Sequence, residues 1–173
     1  MKKVMLNDII TFTLGKNPTR IKESDNNIYG LDDFEKDFHS TEKLDIRGCA
    51  ISIIKSKASP LSSDSDKKTM ISNYVKCYFD PKVLDPWYLC YQINEGKEVE
   101  QQINMFNQGT LISVRKLNVK IISELSISLP DIKKQRLIGE LYRKSIIQQD
   151  LLQKQADNLK NLNMLLIRKI EEE

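Results

Sequence analysis

A chain of 173 residues with 40% hydrophobic and 29% charged residues has the make-up of a folded protein and the length for one core plus an appendage, which excludes disordered and collagen-like polymers. No apolar run approaches the roughly 18 residues of a membrane span, and "MKKVMLNDII" lacks the apolar centre of a secretion signal, so a cytoplasmic location with no membrane partner is expected. The net charge of +3 is spread unevenly: eight acids from Glu23 to Asp45 face only Lys36 and Lys43, whereas the first 22 residues and the stretch from Arg47 to Lys76 are basic. Such clustering fits a protein that meets a polyanion on one face, and equally a solvated surface.

In chain order, "KKVMLNDIITFTLG" reads as a short strand and helical turn closed by Gly15, and "KNPTR" as a polar turn around Pro18. The Asp-, Asn- and Gly-rich stretch from Glu23 to Thr41 reads as a loop anchored by Tyr29, Phe34 and Phe38. "CAISIIK", with its β-branched residues, is the best strand candidate. Ser56 to Thr69 is dominated by Ser, Asp and Lys around Pro60 and reads as a surface loop, with "MISNYVKCYF" as the return strand. Pro86 suits the first turn of a helix carrying Trp87, Leu89, Tyr91 and Ile93. "QQINMFNQGTLISV" starts as helix and must break by Gly109. "VKIISELSISLP" gives one or two strands, with Ile127 and Leu129 facing one way.

From Asp131 to Glu173 there is no proline, Gly139 is the only glycine, and helix formers dominate, so a helix of about 40 residues, roughly 60 Å long, is expected. Leu152, Ala156, Leu159, Leu162, Leu166 and Ile170 recur at steps of three or four, an apolar stripe along one side, while Gln148 and Gln155 are polar interruptions that can fix register between partner helices. A lone helix of that length cannot bury its stripe against so small a body. Either a second copy of the chain covers it, or the helix breaks and folds back on its own domain. The expected fold class is therefore α+β: a mixed α/β domain over residues 1–129, followed over residues 130–173 by a long C-terminal α-helix.

Catalytic motifs are missing. There is no G-x-G-x-x-G after a strand, no P-loop and no H-E-x-x-H, and the single histidine, His39, reads as a solvated loop residue. Cys49, Cys77 and Cys90 form no C-x-x-C pair and read as reduced structural thiols. "DIRGCAISIIKSK" holds the letters of a carboxylate–Lys nuclease strand only loosely, and a surface lysine after a core strand explains it better. No catalytic residue, metal site or cofactor is expected.

Five short motifs occur in a telling order: Gly15, Lys16 and Pro18; then Gly48 and Ser52 in "RGCAISII"; then Pro86, Tyr88, Leu89, Tyr91 and Ile93; then Gly109, Thr110 and Ser113; then "SISLP" with Gln135. Together they resemble the specificity (S) subunits of type I restriction–modification systems, with Cys49 standing where that family has an acid. Such subunits carry two target-recognition domains and two long helices, and this chain has one set. The resemblance implies a half-subunit that dimerises through its helix as an antiparallel coiled coil, reads a bipartite symmetric target in double-stranded DNA, and serves an adenine methyltransferase (M) subunit, with or without a restriction (R) subunit. It implies no catalysis of its own. The alternative is a structural or inhibitory partner that covers a full-length specificity subunit or a methyltransferase without reading DNA.

The family's DNA-facing loops match three stretches. Lys16, Asn17, Thr19, Arg20 and Lys22 lie on the first turn. Lys57, Ser59, Ser62, Lys67 and Lys68 lie in the serine-rich segment. Gln108, Gly109, Thr110, Ser113 and Arg115 lie in the glycine loop. Cations and small polar groups of this kind hold phosphates and reach base edges.

Overall fold

The computed structural model describes residues 2–17, 19, 21, 27–106 and 117–172. Strand β1 (Lys2–Met5) runs antiparallel to β8 (Ser126–Leu129), with Val4 opposite Ile127, so the start of the chain is tied to the strand that feeds the long helix. A single 3₁₀ turn, Leu6–Asp8, leads into β2 (Thr11–Leu14). β2 joins β4 (Ile46–Ser52), β5 (Lys57–Ser62) and β7 (Tyr74–Tyr78) in a four-stranded antiparallel sheet ordered β2-β7-β4-β5. Gly48 is required where β4 crosses β7, because a Cβ there would lie 2.3 Å from the Cys77 carbonyl oxygen. Pro60 is tolerated inside β5 because β5 is an edge strand, where a missing N–H breaks no ladder.

Two stretches outside the predicted DNA-facing loops differ from the sequence reading. The supposed loop before Thr41 holds β3 (Ile28–Tyr29), which pairs in parallel with β6 (Thr69–Met70), and helix α1 (Leu31–Phe38). The acids that made it look like a loop start the helix instead: the Asp33 carboxylate accepts the Gly30 N–H at 3.2 Å. Leu31, Phe34 and Phe38 recur at helical spacing, and buried Phe34 packs beside Tyr29 and Tyr74. In the second stretch, Val119–Glu124 is a helical turn, α5, not a strand: the Asn118 side chain caps it by accepting the Ile121 N–H at 2.8 Å. Local capping there overrides the β-preference of Val119, Ile121 and Ile122.

Helix α3 (Pro86–Glu95) begins as expected with proline in its first turn, and Asp85 caps it through the Tyr88 N–H at 2.9 Å. Helix α4 (Lys97–Phe106) follows; Gly109 lies outside the described residues. The core sits between the sheet and α3, where Cys49, Ile51, Val75 and Cys77 meet Leu89, Cys90 and Ile93. All three cysteines are buried and free, with Cys49 Sγ 3.7 Å from Cys90 Sγ, and burial pushes the Cys49 and Cys77 thiols well up from their ordinary values. They act as small apolar groups.

The long helix is present and unbroken: α6 spans Ile132–Glu171, 40 residues. Its root is locked by Gln135, which is only 1% exposed. The Gln135 side chain accepts the Asp85 N–H at 3.0 Å and donates to the carbonyls of Val83 at 3.0 Å and Pro130 at 2.8 Å, so all of its main hydrogen-bonding capacity is used. Four residues on, Gly139 lets α6 touch α3, because a Cβ would fall 2.9 Å from both Trp87 Cβ and the Tyr88 nitrogen. Tyr142 then packs among Phe38, Trp87 and Tyr91 and accepts a bond from Asn94 at 3.1 Å; burial first of all pushes its phenol up to about 12. Arg143 donates to the carbonyls of Thr41 and Glu42. None of the described helices is long and apolar enough to cross a membrane.

Candidate nucleic-acid interface

The first turn is built by close backbone contact. A Cβ on Gly15 would lie 2.0 Å from the Ile71 carbonyl oxygen, so only glycine lets β2 run on into this corner. The Lys16 N–H then donates to Met70 at 2.8 Å, its carbonyl accepts the Ser72 N–H at 2.8 Å, and the Lys16 side chain is left exposed. The Asn17 side-chain oxygen accepts from both the Thr19 N–H and the Thr19 hydroxyl, fixing the turn. Pro18, Arg20 and Lys22 lie outside the described residues.

This corner borders a concavity of about 290 Å³ lined by Thr13, Lys16, Lys68, Lys76 and Tyr78, among others. Lys16 and Lys68, from two of the three predicted stretches, thus share one surface. Thr13 and Lys76 are cross-strand partners, and Tyr78 follows Lys76 by two residues on the same face. The sequence reading missed those three. The period-two pattern of β2 and β7 puts polar Thr13, Lys76 and Tyr78 on one face of their strands, but not beside one another.

Charge in this concavity is partly committed. Lys68 lies 2.6 Å from the Asp33 carboxylate, and Lys76 lies 2.9 Å from that of Asp66. The Tyr78 hydroxyl donates to the same Asp66 oxygen at 2.5 Å. Partial burial works against a charged Asp66, but the bonds from Tyr78 and Lys76 outweigh it and hold the carboxyl below its ordinary value. Burial first, and then the Asp66 acceptor, push the Tyr78 phenol up. Lys16 makes no ion pair among the described residues. An exposed cation beside two pinned ones and two hydroxyls can hold phosphate oxygens.

Other predicted residues lie elsewhere. The serine-rich segment is not a surface loop: Lys57–Ser62 is the edge strand β5. Ser59 is fully buried and donates to the Phe34 carbonyl at 2.9 Å. Ser62 is buried too, and its hydroxyl accepts the Ser65 N–H to start the short helix α2 (Ser63–Asp66). Serine in a strand that packs against α1 serves the fold, so neither reaches outward. Lys57 is exposed but lies at the other end of β5, about 17 Å from Ser62 at 3.3 Å per residue. It lines a separate cavity of about 810 Å³ between α1 and α6, together with Lys55, Glu35 and Glu95. Lys67 is exposed and pairs with Asp64 at 3.0 Å, a contact that keeps the Asp64 carboxyl low. Gln108, Gly109, Thr110, Ser113 and Arg115 lie outside the described residues.

The apolar stripe forms the second surface. Every residue from Leu151 to Glu172 is exposed, including Leu152, Ala156, Leu159, Leu162, Leu166 and Ile170; Leu159 is 59% exposed and Ile170 72%. The fold-back alternative therefore does not hold, because an unbroken α-helix carries the stripe away from the body. His39 also departs from its reading as a solvated loop residue. Its Nδ1 lies 2.7 Å from the Asp150 carboxylate and its Nε2 lies 3.2 Å from that of Glu35, so it pins α1 to the last docked turn of α6.

No family model matches the sequence, and no curated protein matches it. Solved structures do. The HsdS subunit from Thermoanaerobacter tengcongensis superposes with a TM-score of 0.55 at 18% identity, covering 90% of this chain and 39% of that one. A chain from a structure of complex assembly and conformational transition in the type I R-M system gives a TM-score of 0.59 at 18% identity, covering 95% of this chain and 43% of that one. This chain therefore spans about two fifths of the length of the structures it matches, and shares with them the fold of a mixed α/β domain running into a long helix.

Proposed function

We propose that this chain is a non-catalytic, sequence-specific DNA-recognition subunit of a type I restriction–modification methyltransferase, acting as a homodimer. The observation that carries this reading is the fold: an HsdS-like domain whose helix leaves a bare apolar stripe beyond Asp150. Two chains paired along that stripe hold two recognition domains at opposite ends of a two-fold coiled coil, so the target is bipartite, with identical inverted halves around an unread spacer. Within each domain, the Lys16–Lys68 corner holds the backbone of double-stranded DNA. Arg20, Lys22 and the 108–115 stretch supply further contacts. The methyltransferase subunit supplies the chemistry, with or without a nuclease partner.

Mapping methylated adenines genome-wide, in cells with and without the chain, tests this. The expected result is loss of methylation at one bipartite motif, together with a gel shift of that motif by the chain plus the methyltransferase. An unchanged methylome with no gel shift would overturn the reading, in favour of a partner that covers a specificity subunit without reading DNA. Purified chain is expected to cleave no DNA with any divalent metal added.

A further inference from the structure

The exposed side of α6 extends further than the stripe beyond Asp150. On the docked half, Leu137 is 62% exposed and Leu141 60%, whereas Gln135, Gly139 and Ile146 are buried against the body. At about 100° per residue, Leu137, Leu141, Gln148, Leu152, Gln155, Leu159, Leu162 and Leu166 fall on one narrow line, roughly 180° from the face that holds α3. A seam therefore runs about 44 Å from Leu137 to Leu166 and points directly away from the domain; Lys144 falls on the same line, with its ammonium 3.6 Å from Glu140 of its own helix.

That seam complements itself in one register. We infer that a second copy of this chain packs antiparallel along the full seam, with the two-fold axis between Leu151 and Leu152, so that Gln148 of each copy meets Gln155 of the other. This deepens the homodimer proposed above and rests on it. In this register Leu137 faces Leu166, Leu141 faces Leu162, and Leu151 faces Leu152. The two glutamines, the amides on the line, meet each other twice by symmetry, donor to acceptor. Sliding one heptad in one direction sets Gln148 against Leu162; sliding one in the other sets Gln155 against Leu141. A half-heptad slide in one direction sets both against leucines, and in the other sets Gln148 against Leu151 or Leu152. Each alternative buries an amide with no partner, and polar seam residues select register in this way. The antiparallel orientation also sets the two helix dipoles against one another.

Disulfide trapping in the full chain reads the register directly, since Cys49, Cys77 and Cys90 are buried and give little background. Under a mild thiol oxidant, Gln148→Cys/Gln155→Cys is expected to run at twice the chain mass on a non-reducing gel, and each single variant at the chain mass. Leu141→Cys/Leu162→Cys repeats the test in a second layer and covers any loss of association caused by removing the glutamines. Trapping by Gln148→Cys or Gln155→Cys alone would overturn this register while leaving the dimer standing. Sedimentation of the unmodified chain as a monomer would remove the dimer itself, and the register with it.

Discussion

Residues 132–150 and 151–171 belong to one helix of similar composition, yet only the first half is claimed by its own chain. The root is specified by single residues with no substitute: Gln135 with three backbone partners, Gly139 where any side chain would collide with α3, and Tyr142 in an aromatic cluster. The outer half has leucines and no such fittings. Its apolar residues are spaced along a line, which suits a partner that is itself a helix. The root fixes the direction in which the helix leaves the domain; in the proposed dimer, the outer half is the part that meets the second copy.

Substitutions sharpen this contrast. Gly139→Leu drives a side chain into Asp85, Trp87 and Tyr88 and should cost about 3 kcal/mol of folding stability in urea melts. Asn163→Leu, on the bare half, should leave the urea midpoint of the isolated chain unchanged. Gln135→Leu strands the Asp85 N–H and the Val83 and Pro130 carbonyls, and is expected to cost about 2 kcal/mol, read the same way. Leu162→Asp should leave the far-UV CD spectrum intact while weakening self-association on the order of a hundredfold, because each copy would bury an unpaired charge against Leu141 of the other. An intact dimer of that variant in the ultracentrifuge would break the distinction between the two halves.

Two smaller effects belong to the mixed α/β domain. Lys16→Ala combined with Lys68→Ala should weaken DNA binding and lower the slope of log affinity against log salt by about one per lost phosphate contact. A slope unchanged across a salt titration would remove the basic corner from the interface. Asp66 gives a pH effect. Its carboxyl is held low in the folded state, so the unfolded chain takes up the proton first. The stabilisation is complete above the ordinary carboxylate value and is lost as pH falls through the lower, folded one. Asp66→Asn should therefore flatten the acid side of the plot of melting temperature against pH.

Much of the architecture was legible in sequence because its signals are long or chemically singular. A run without proline gave the 40-residue helix, Pro86 gave the start of α3, and steps of three and four gave the stripe. Short acidic segments were not legible: Asp32 and Asp33 look like loop residues until Asp33 is seen capping α1. Composition also misled at Ser59 and Ser62, because hydroxyls that point into the fold and hydroxyls that point at DNA are the same letters. Thr13, Lys76 and Tyr78 were overlooked because their meeting depends on which strands become neighbours, and no local pattern states that. His39 was misread for the same reason, since its partner Asp150 lies 111 residues away in the chain.

Sedimentation velocity of the intact chain, alone and with target duplex, addresses the central claim most directly. The account predicts a single species of twice the chain mass at micromolar concentration, binding one duplex per pair of chains. A monomer that binds DNA one to one, with the outer half of α6 still bare, would contradict it.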